Sequence, residues 1–179
     1  MTRPATPVPV LRFATVADAA ALAALGRRTF TAAFGADNTP DDLASFLNTT
    51  YGEHIQQEEL ASPHLRYFLA TADDVPVAFA LLRSGRPSPF IDDPAAVELQ
   101  RLYVDSAFHG TGLAQRMMDE CVRIARERGA SSLFLGVWER NAKALRFYAA
   151  QGFVPIGEQV FTVGSDPQTD VVMVRQLRR

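Results

Sequence analysis

The chain has 179 residues, 47% of them apolar and 21% charged, with a formal net charge of −2. That length suits one domain with a full apolar core, and the near-neutral charge gives no sign of a surface for nucleic acid or membrane. Cys121 is the only cysteine, which excludes an intrachain disulfide, and no apolar run is long enough to span a bilayer. The start lacks a charged-then-apolar signal pattern, so a cytoplasmic protein is expected. No repeat or linker is visible. One domain over 1–179 follows, with Met1 to Pro9 and its three prolines as a loose lead-in.

The predicted elements run as follows. Val10 to Phe13 reads as a first strand. Thr15 to Ala33 is Ala-rich and helical, with Thr15 as N-cap and Asp18 three residues on. Gly35 to Asn38 breaks it. Pro40 to Leu47 reads as a short helix capped by Thr39, and Tyr51 to Ala61 as another. Leu65 to Ala70 and Pro76 to Arg83 are strands, with Asp73-Asp74 between them as a hairpin turn. Ser84 to Pro94, rich in proline, is a loop. Ser132 to Val137 is a short apolar strand, expected to lie parallel to Val97–Val104. Asn141 to Gln151 is helical. Phe153 to Val163 and Thr169 to Leu177 are closing strands joined by Gly164-Ser165-Asp166-Pro167. Strands flanked by a few helices imply α/β or α+β with a mixed sheet.

The chemistry concentrates between Val97 and Gly129. Val97, Leu99, Leu102 and Val104 form a strand, His109-Gly110-Thr111-Gly112 turns the chain, and Leu113, Met117, Cys121 and Ile124 mark one face of a helix. On that apolar face Cys121 reads as a packed thiol. A glycine turn opening a helix presents unpaired N–H groups at the positive end of the helix dipole, which favours an anion, usually phosphate. A P-loop fails because Gly112 is followed by Leu113. A dinucleotide fingerprint wants a third small residue where Gln115 stands, and normally opens its domain, although Glu139 could imitate its ribose-binding acid. A coenzyme A diphosphate, and a plain structural turn, remain open.

His109-Gly110-Thr111-Gly112-Leu113-Ala114 resembles the Gln/Arg-x-x-Gly-x-Gly/Ala box of the GNAT N-acetyltransferases, with His109 where the family usually has Gln or Arg. Asn141-Ala142-Lys143-Ala144-Leu145-Arg146-Phe147-Tyr148-Ala149-Ala150-Gln151-Gly152-Phe153 resembles that family's Asn-x-x-Ala-x-x-Phe-Tyr-x-x-x-Gly-Phe signature, in the family's order. The resemblance implies a central mixed, mostly antiparallel sheet of about seven strands, with a splayed parallel pair whose gap takes the acyl-pantetheine arm. It implies acetyl-CoA as cosubstrate and no metal. Backbone groups of Leu102, Tyr103 and Val104 would hold the pantetheine. His109, Gly110, Thr111, Gly112, Leu113 and Ala114 would cradle the diphosphate, and Asn141 would contact the pantetheine or fix the local loop.

Acyl transfer to an amine needs a base, because an alkylammonium with a pKa of about 10 cannot attack. It needs an acid for the departing thiolate. Tyr148 has a phenol protonated at neutral pH and stands at the family's general-acid position. Glu98 is the expected base, eleven residues before His109, where several GNAT enzymes carry a catalytic glutamate. Glu139 and His54 are the fallbacks. Segments such as Glu98–Val104, Leu135–Asn141, Gly164–Asp170 and Thr29–Phe34 look like PaiA-type polyamine acetyltransferases, which implies spermidine or spermine as acceptor. A polycation needs spaced carboxylates, for which Glu53, Glu58, Glu59, Asp92, Asp93 and Glu139 are the candidates. A small amine, an amino acid or a peptide N-terminus is the alternative acceptor. A non-catalytic acyl-CoA-binding module is the rival of another class. Closing strands in this family often pair across a homodimer, for which Phe161, Val163, Val171 and Val172 are available.

Overall fold

A computed structural model describes residues 8–86 and 88–177. The expected lead-in therefore lies outside the described residues except for Val8 and Pro9. The elements in chain order are β1 Val10–Phe13, α1 Ala19–Phe34, α2 Pro40–Thr50, α3 Glu53–Ala61, β2 Leu65–Ala72, β3 Val75–Arg83, β4 Val97–Val104, α4 Leu113–Glu127, β5 Ser132–Trp138, α5 Ala142–Ala150, β6 Val154–Val163 and β7 Asp166–Gln176. The strands form one sheet in the order β1-β2-β3-β4-β5-β7-β6. Every neighbouring pair is antiparallel except β4 and β5, which are parallel.

Local chemistry explains where elements begin and end. The helix expected from Thr15 starts as a 3-10 turn, Val16–Asp18, before α1. The Asp18 carboxylate accepts from the Thr15 N–H at 2.7 Å and pairs with Arg12 at 2.7 Å, which ties the turn to β1. α2 and α3 are separated at Tyr51-Gly52, because Gln56, nearly fully buried, folds back to accept from the Gly52 N–H at 3.0 Å and donate to the Thr50 carbonyl at 2.9 Å. The β2–β3 hairpin turns at Asp73 and Asp74 with φ of 50° and 63°, as a two-residue turn of positive φ requires. β7 begins three residues earlier than expected, at Asp166. Asp42 of α2 accepts from the Ser165 N–H at 2.6 Å and its hydroxyl at 2.8 Å, which tightens the turn to Gly164-Ser165.

The sheet is covered on both faces. α4 and α5 pack on one, where Met117, Met118, Cys121 and Leu133 are fully buried. α1 and α2 pack on the other, over Leu22, Leu25, Phe30 and Phe79. Burial raises the Cys121 thiol pKa, in keeping with a packed, unreactive sulfur. Of the four residues available for pairing between copies, Val163 and Val172 belong to the core, Val171 is half-buried, and Phe161 stays 39% exposed with its ring 5.7 Å from that of Phe46. Among the described residues no helix is long and apolar enough to cross a membrane.

The junction of β4 and β5 positions the site. β4 and β5 pair at only two positions, Val97 with Leu133 and Glu98 with Phe134. Just beyond, β4 carries a bulge: Leu82 of β3 opposes Leu99, and Leu81 opposes Arg101, so Gln100 is the extra residue. A bulge bends its strand and increases the twist. β4 stays with β3 and β5 stays with β7, so a gap opens between them. α4 packs against β4 and buries Met117 in one core cluster with Val97 and Leu99. Met117→Ala should therefore cost about 2–5 kcal/mol of stability, measured by urea denaturation.

Candidate active site

The gap holds a cavity of about 160 Å³, lined by residues 99–103 of β4 and 136–138 of β5. It is lined from both faces of the sheet: Tyr148 of α5 on one side, Phe30 and Phe34 of α1 on the other. Beyond Glu98 the β5-facing edge of β4 has no partner strand. Leu102 and Tyr103 thus line an open backbone edge, as an inserted extended ligand would need.

At the far end of β4 the glycine turn has the properties of an anion site. Gly112 caps α4 with φ of 83°, and a side chain at Gly110 or Gly112 would meet nothing within 4 Å, so that surface is open. The first main-chain bond into the helix is Arg116 N–H to the Gly112 carbonyl at 3.1 Å. The N–H groups of Leu113, Ala114 and Gln115 precede it and have no intrahelical acceptor. Thr111 is pinned by its hydroxyl, which donates to the Phe108 carbonyl at 2.7 Å.

His109 does more than a backbone contact. Its Nε2 lies 2.9 Å from the Val104 carbonyl and its Nδ1 lies 3.2 Å from Lys143 Nζ. A carbonyl only accepts and an ammonium only donates, so the proton sits on Nε2 and the lone pair on Nδ1. The ring is a strut from the turn to the end of β4, and it occupies the Val104 carbonyl. It also draws a cation, Lys143, to the anion site. Lys143 sat unremarked inside the second sequence box; its signal was a positive charge one position before Ala144, on the first turn of α5.

Asn141 caps α5, its Oδ1 accepting from the Ala144 N–H at 3.0 Å, and it also lines the cavity. Tyr148 is half-buried, with its ring 5.4 Å from Phe147 and 5.7 Å from Phe153, both edge-on. Burial, with Cys121 nearby, pushes its phenol pKa well up, so it keeps its proton at neutral pH.

Glu98 lies elsewhere. It sits where β4 and β5 still pair, outside the cavity lining, and its Oε2 accepts from Arg83 Nε at 2.8 Å and from Nη2. The expected base, Glu98, thus has its carboxylate paired with a guanidinium at the closed end of the gap, so any contact with an acceptor in the cavity would run through water. Glu139 and His54, the fallbacks, are exposed and also outside the lining. Glu53, Glu58 and Asp92 are exposed. Glu59 grips Arg101 through both oxygens at 2.9 and 3.0 Å, and Asp93 accepts from the hydroxyls of Ser131 and Ser132. The carboxylate that does line the cavity is Asp170 of β7, 8% exposed. Burial pushes its pKa up to about 6. The sequence reading missed it, although a signal exists: Asp170 alternates with the buried Val172 and Val174.

The match to the family model for the Acetyltransferase (GNAT) family spans residues 31–153. The chain belongs to the GNAT acetyltransferase family. Consistent with this, it is 34% identical over 154 residues to an uncharacterised N-acetyltransferase of Lactobacillus delbrueckii subsp. lactis, covering 86% of this chain and 89% of that one. It is 34% identical over 100 residues to the N-alpha-acetyltransferase RimI of Mycobacterium tuberculosis, covering 55% of this chain and 58% of that one. The PaiA N-acetyltransferase of Thermoplasma acidophilum, solved in complex with coenzyme A, shares the fold with a TM-score of 0.77 at 17% identity, over 94% of this chain and 99% of that one. The splayed β4–β5 pair and the open turn before α4 are thus features of a GNAT N-acetyltransferase. With Glu98 outside the cavity, Glu98→Gln should leave kcat/KM within about threefold. It should lower stability by about 1–3 kcal/mol, because Arg83 loses its charged partner. Steady-state kinetics and denaturant unfolding check the two halves.

Proposed function

We propose that this GNAT enzyme moves an acetyl group directly from acetyl-CoA to a primary amine. The observation that carries the reading is the cavity in the splayed gap, with the Tyr148 phenol on its wall and unpaired N–H groups at the head of α4. The residues suit coenzyme A. Leu113, Ala114 and Gln115 offer N–H donors, Lys143 offers a positive charge, and Leu102 and Tyr103 offer an unpaired strand edge for the pantetheine amides. Acetyl-CoA is consumed as a substrate and supplies the activated thioester. Tyr148 donates its phenolic proton to the departing sulfur.

The acceptor side is walled by Phe30, Phe34, Trp138 and Phe161, with Asp170 as its carboxylate. That wall suits an acceptor presenting one ammonium on a largely apolar stem. A peptide N-terminus meets this description better than a free amino acid, whose own carboxylate would lie beside Asp170, and the similarity to an enzyme named N-alpha-acetyltransferase favours it. Spermidine or spermine would enter by one end only, since the carboxylates that would space out a polycation are exposed or already bonded. Incubation with acetyl-CoA and a panel of spermidine, spermine, free amino acids and alanine- or serine-initiated peptides, read by thiol release and product mass, tests the reading. No release above the amine-free rate would leave an acyl-CoA-binding module. Displacement of coenzyme A by NAD or ATP would point to a nucleotide site instead.

Tyr148→Phe should lower kcat by at least about tenfold while the Kd for acetyl-CoA stays unchanged by calorimetry. Gly112→Ala puts a methyl group on the open face of the turn at φ of 83°. It should raise the Kd for coenzyme A by about tenfold, or about 1.4 kcal/mol, with titration calorimetry as the measurement.

A further inference from the structure

We propose that Asp170 is the base of the transfer: its carboxylate receives the acceptor ammonium inside the cavity and takes the proton that frees the nitrogen for attack. This rests on the acetyl-transfer reading above. Three observations converge on it. First, Asp170 is 8% exposed, lines the cavity, and accepts no hydrogen bond among the described residues. An unpaired buried carboxylate is costly and calls for a donor.

Second, the neighbouring strand makes room for it. Gly136 of β5 is a surface of the cavity, and a Cβ there would lie 3.0 Å from Asp170 Oδ2 and 2.6 Å from Gln159 Nε2. Any larger residue at 136 would crowd that carboxylate. Third, Gln100, the bulge residue of β4, lines the same cavity, and its Oε1 is buried without a partner among the described residues. A buried amide oxygen without a partner and a carboxylate open only to the cavity match a ligand rich in N–H donors, and an ammonium brings three.

The titratable groups sharing the cavity are Arg101 and Tyr103 of β4 and Tyr148 of α5. Arg101 is held by Glu59, and desolvation alone accounts for the upward shift of Asp170 to about 6. The cavity-lining residues of α1, β5 and β6, such as Phe34, Trp138 and Phe161, carry no charge. A carboxylate raised toward neutrality is a stronger base than an exposed one, and is still ionised at pH 7.

Asp170 takes one proton from the ammonium. The nitrogen lone pair attacks the thioester carbonyl carbon, forming the C–N bond. The C–S bond then breaks with its electron pair on sulfur. Tyr148 protonates that sulfur and is reprotonated, through water, by the second proton lost from nitrogen. Asp170 returns its proton to solvent, and the products are the amide and the free thiol.

The test compares wild type, Asp170→Asn and Asp170→Ala, with spermidine and the peptide Ala-Gly-Gly as probes. For the wild type, kcat/KM should rise with a midpoint near pH 6 and then level off. Asp170→Asn should lose about a hundredfold at pH 7, with unchanged acetyl-CoA binding and unchanged or higher Tm. Its remaining rate should climb steadily toward the amine pKa, because only the free amine reacts. Asp170→Ala should regain activity on addition of formate, which a merely structural carboxylate would not permit. If Asp170→Asn keeps the wild-type plateau and midpoint, or Asp170→Ala is as active as wild type without formate, Asp170 is not the base. If wild type turns over neither probe nor any amine of the panel, the acetyl-transfer reading falls first and takes this assignment with it.

Discussion

The structure depends on the early divorce of β4 from β5. Two residue pairs hold them, and the bulge at Gln100 then bends β4 away with β3. Continued pairing would have filled the space with main-chain hydrogen bonds. Instead the sheet has a cavity in its middle, lined by residues from both covered faces. An extended ligand can complete the β4 edge from the α4 and α5 side, while an acceptor meets it from the α1 side. The cost is a set of unpaired backbone groups in mid-sheet, tolerable only where a ligand or water can satisfy them.

Donors and acceptors are distributed asymmetrically about that cavity. The turn before α4 gathers unpaired N–H groups, the positive end of a helix and the Lys143 ammonium. The interior gathers acceptors, Asp170 and the Gln100 oxygen. A ligand anionic at one end and an amine arriving from the other are each matched to one half. His109 couples the two regions, because a single ring joins Lys143 to the last carbonyl of β4.

Function and stability pull against each other at Asp170. Its folded pKa, about 6, lies above its ordinary value of 3.8. Its contribution to stability is therefore fully present below the ordinary value and is lost as pH rises through about 6. At neutral pH the fold carries a buried carboxylate it would be more stable without, as active-site groups often are. Glu59 shows the opposite arrangement. It meets Arg101 through both oxygens beside the Tyr51 ring, so its charge braces α3 against β4.

Much was legible in the sequence because it is local. The alternation in β4, the apolar stripe of α4, the Asp73-Asp74 turn and the glycine turn each follow from side-chain period or backbone preference within a few residues. The Asn141–Phe153 box put Tyr148 on a helix by the same logic. What the sequence could not decide depends on neighbours far along the chain. Glu98 has the right residue type on the right strand, yet Arg83 of β3 captures it. Asp170 lies 34 residues beyond Gly136, and only the β5–β7 pairing brings it to the space that glycine leaves. Whether a carboxylate is a solvated charge, half of an ion pair or an unpaired base depends on what the tertiary fold sets against it, and burial and partners are not written in any single segment.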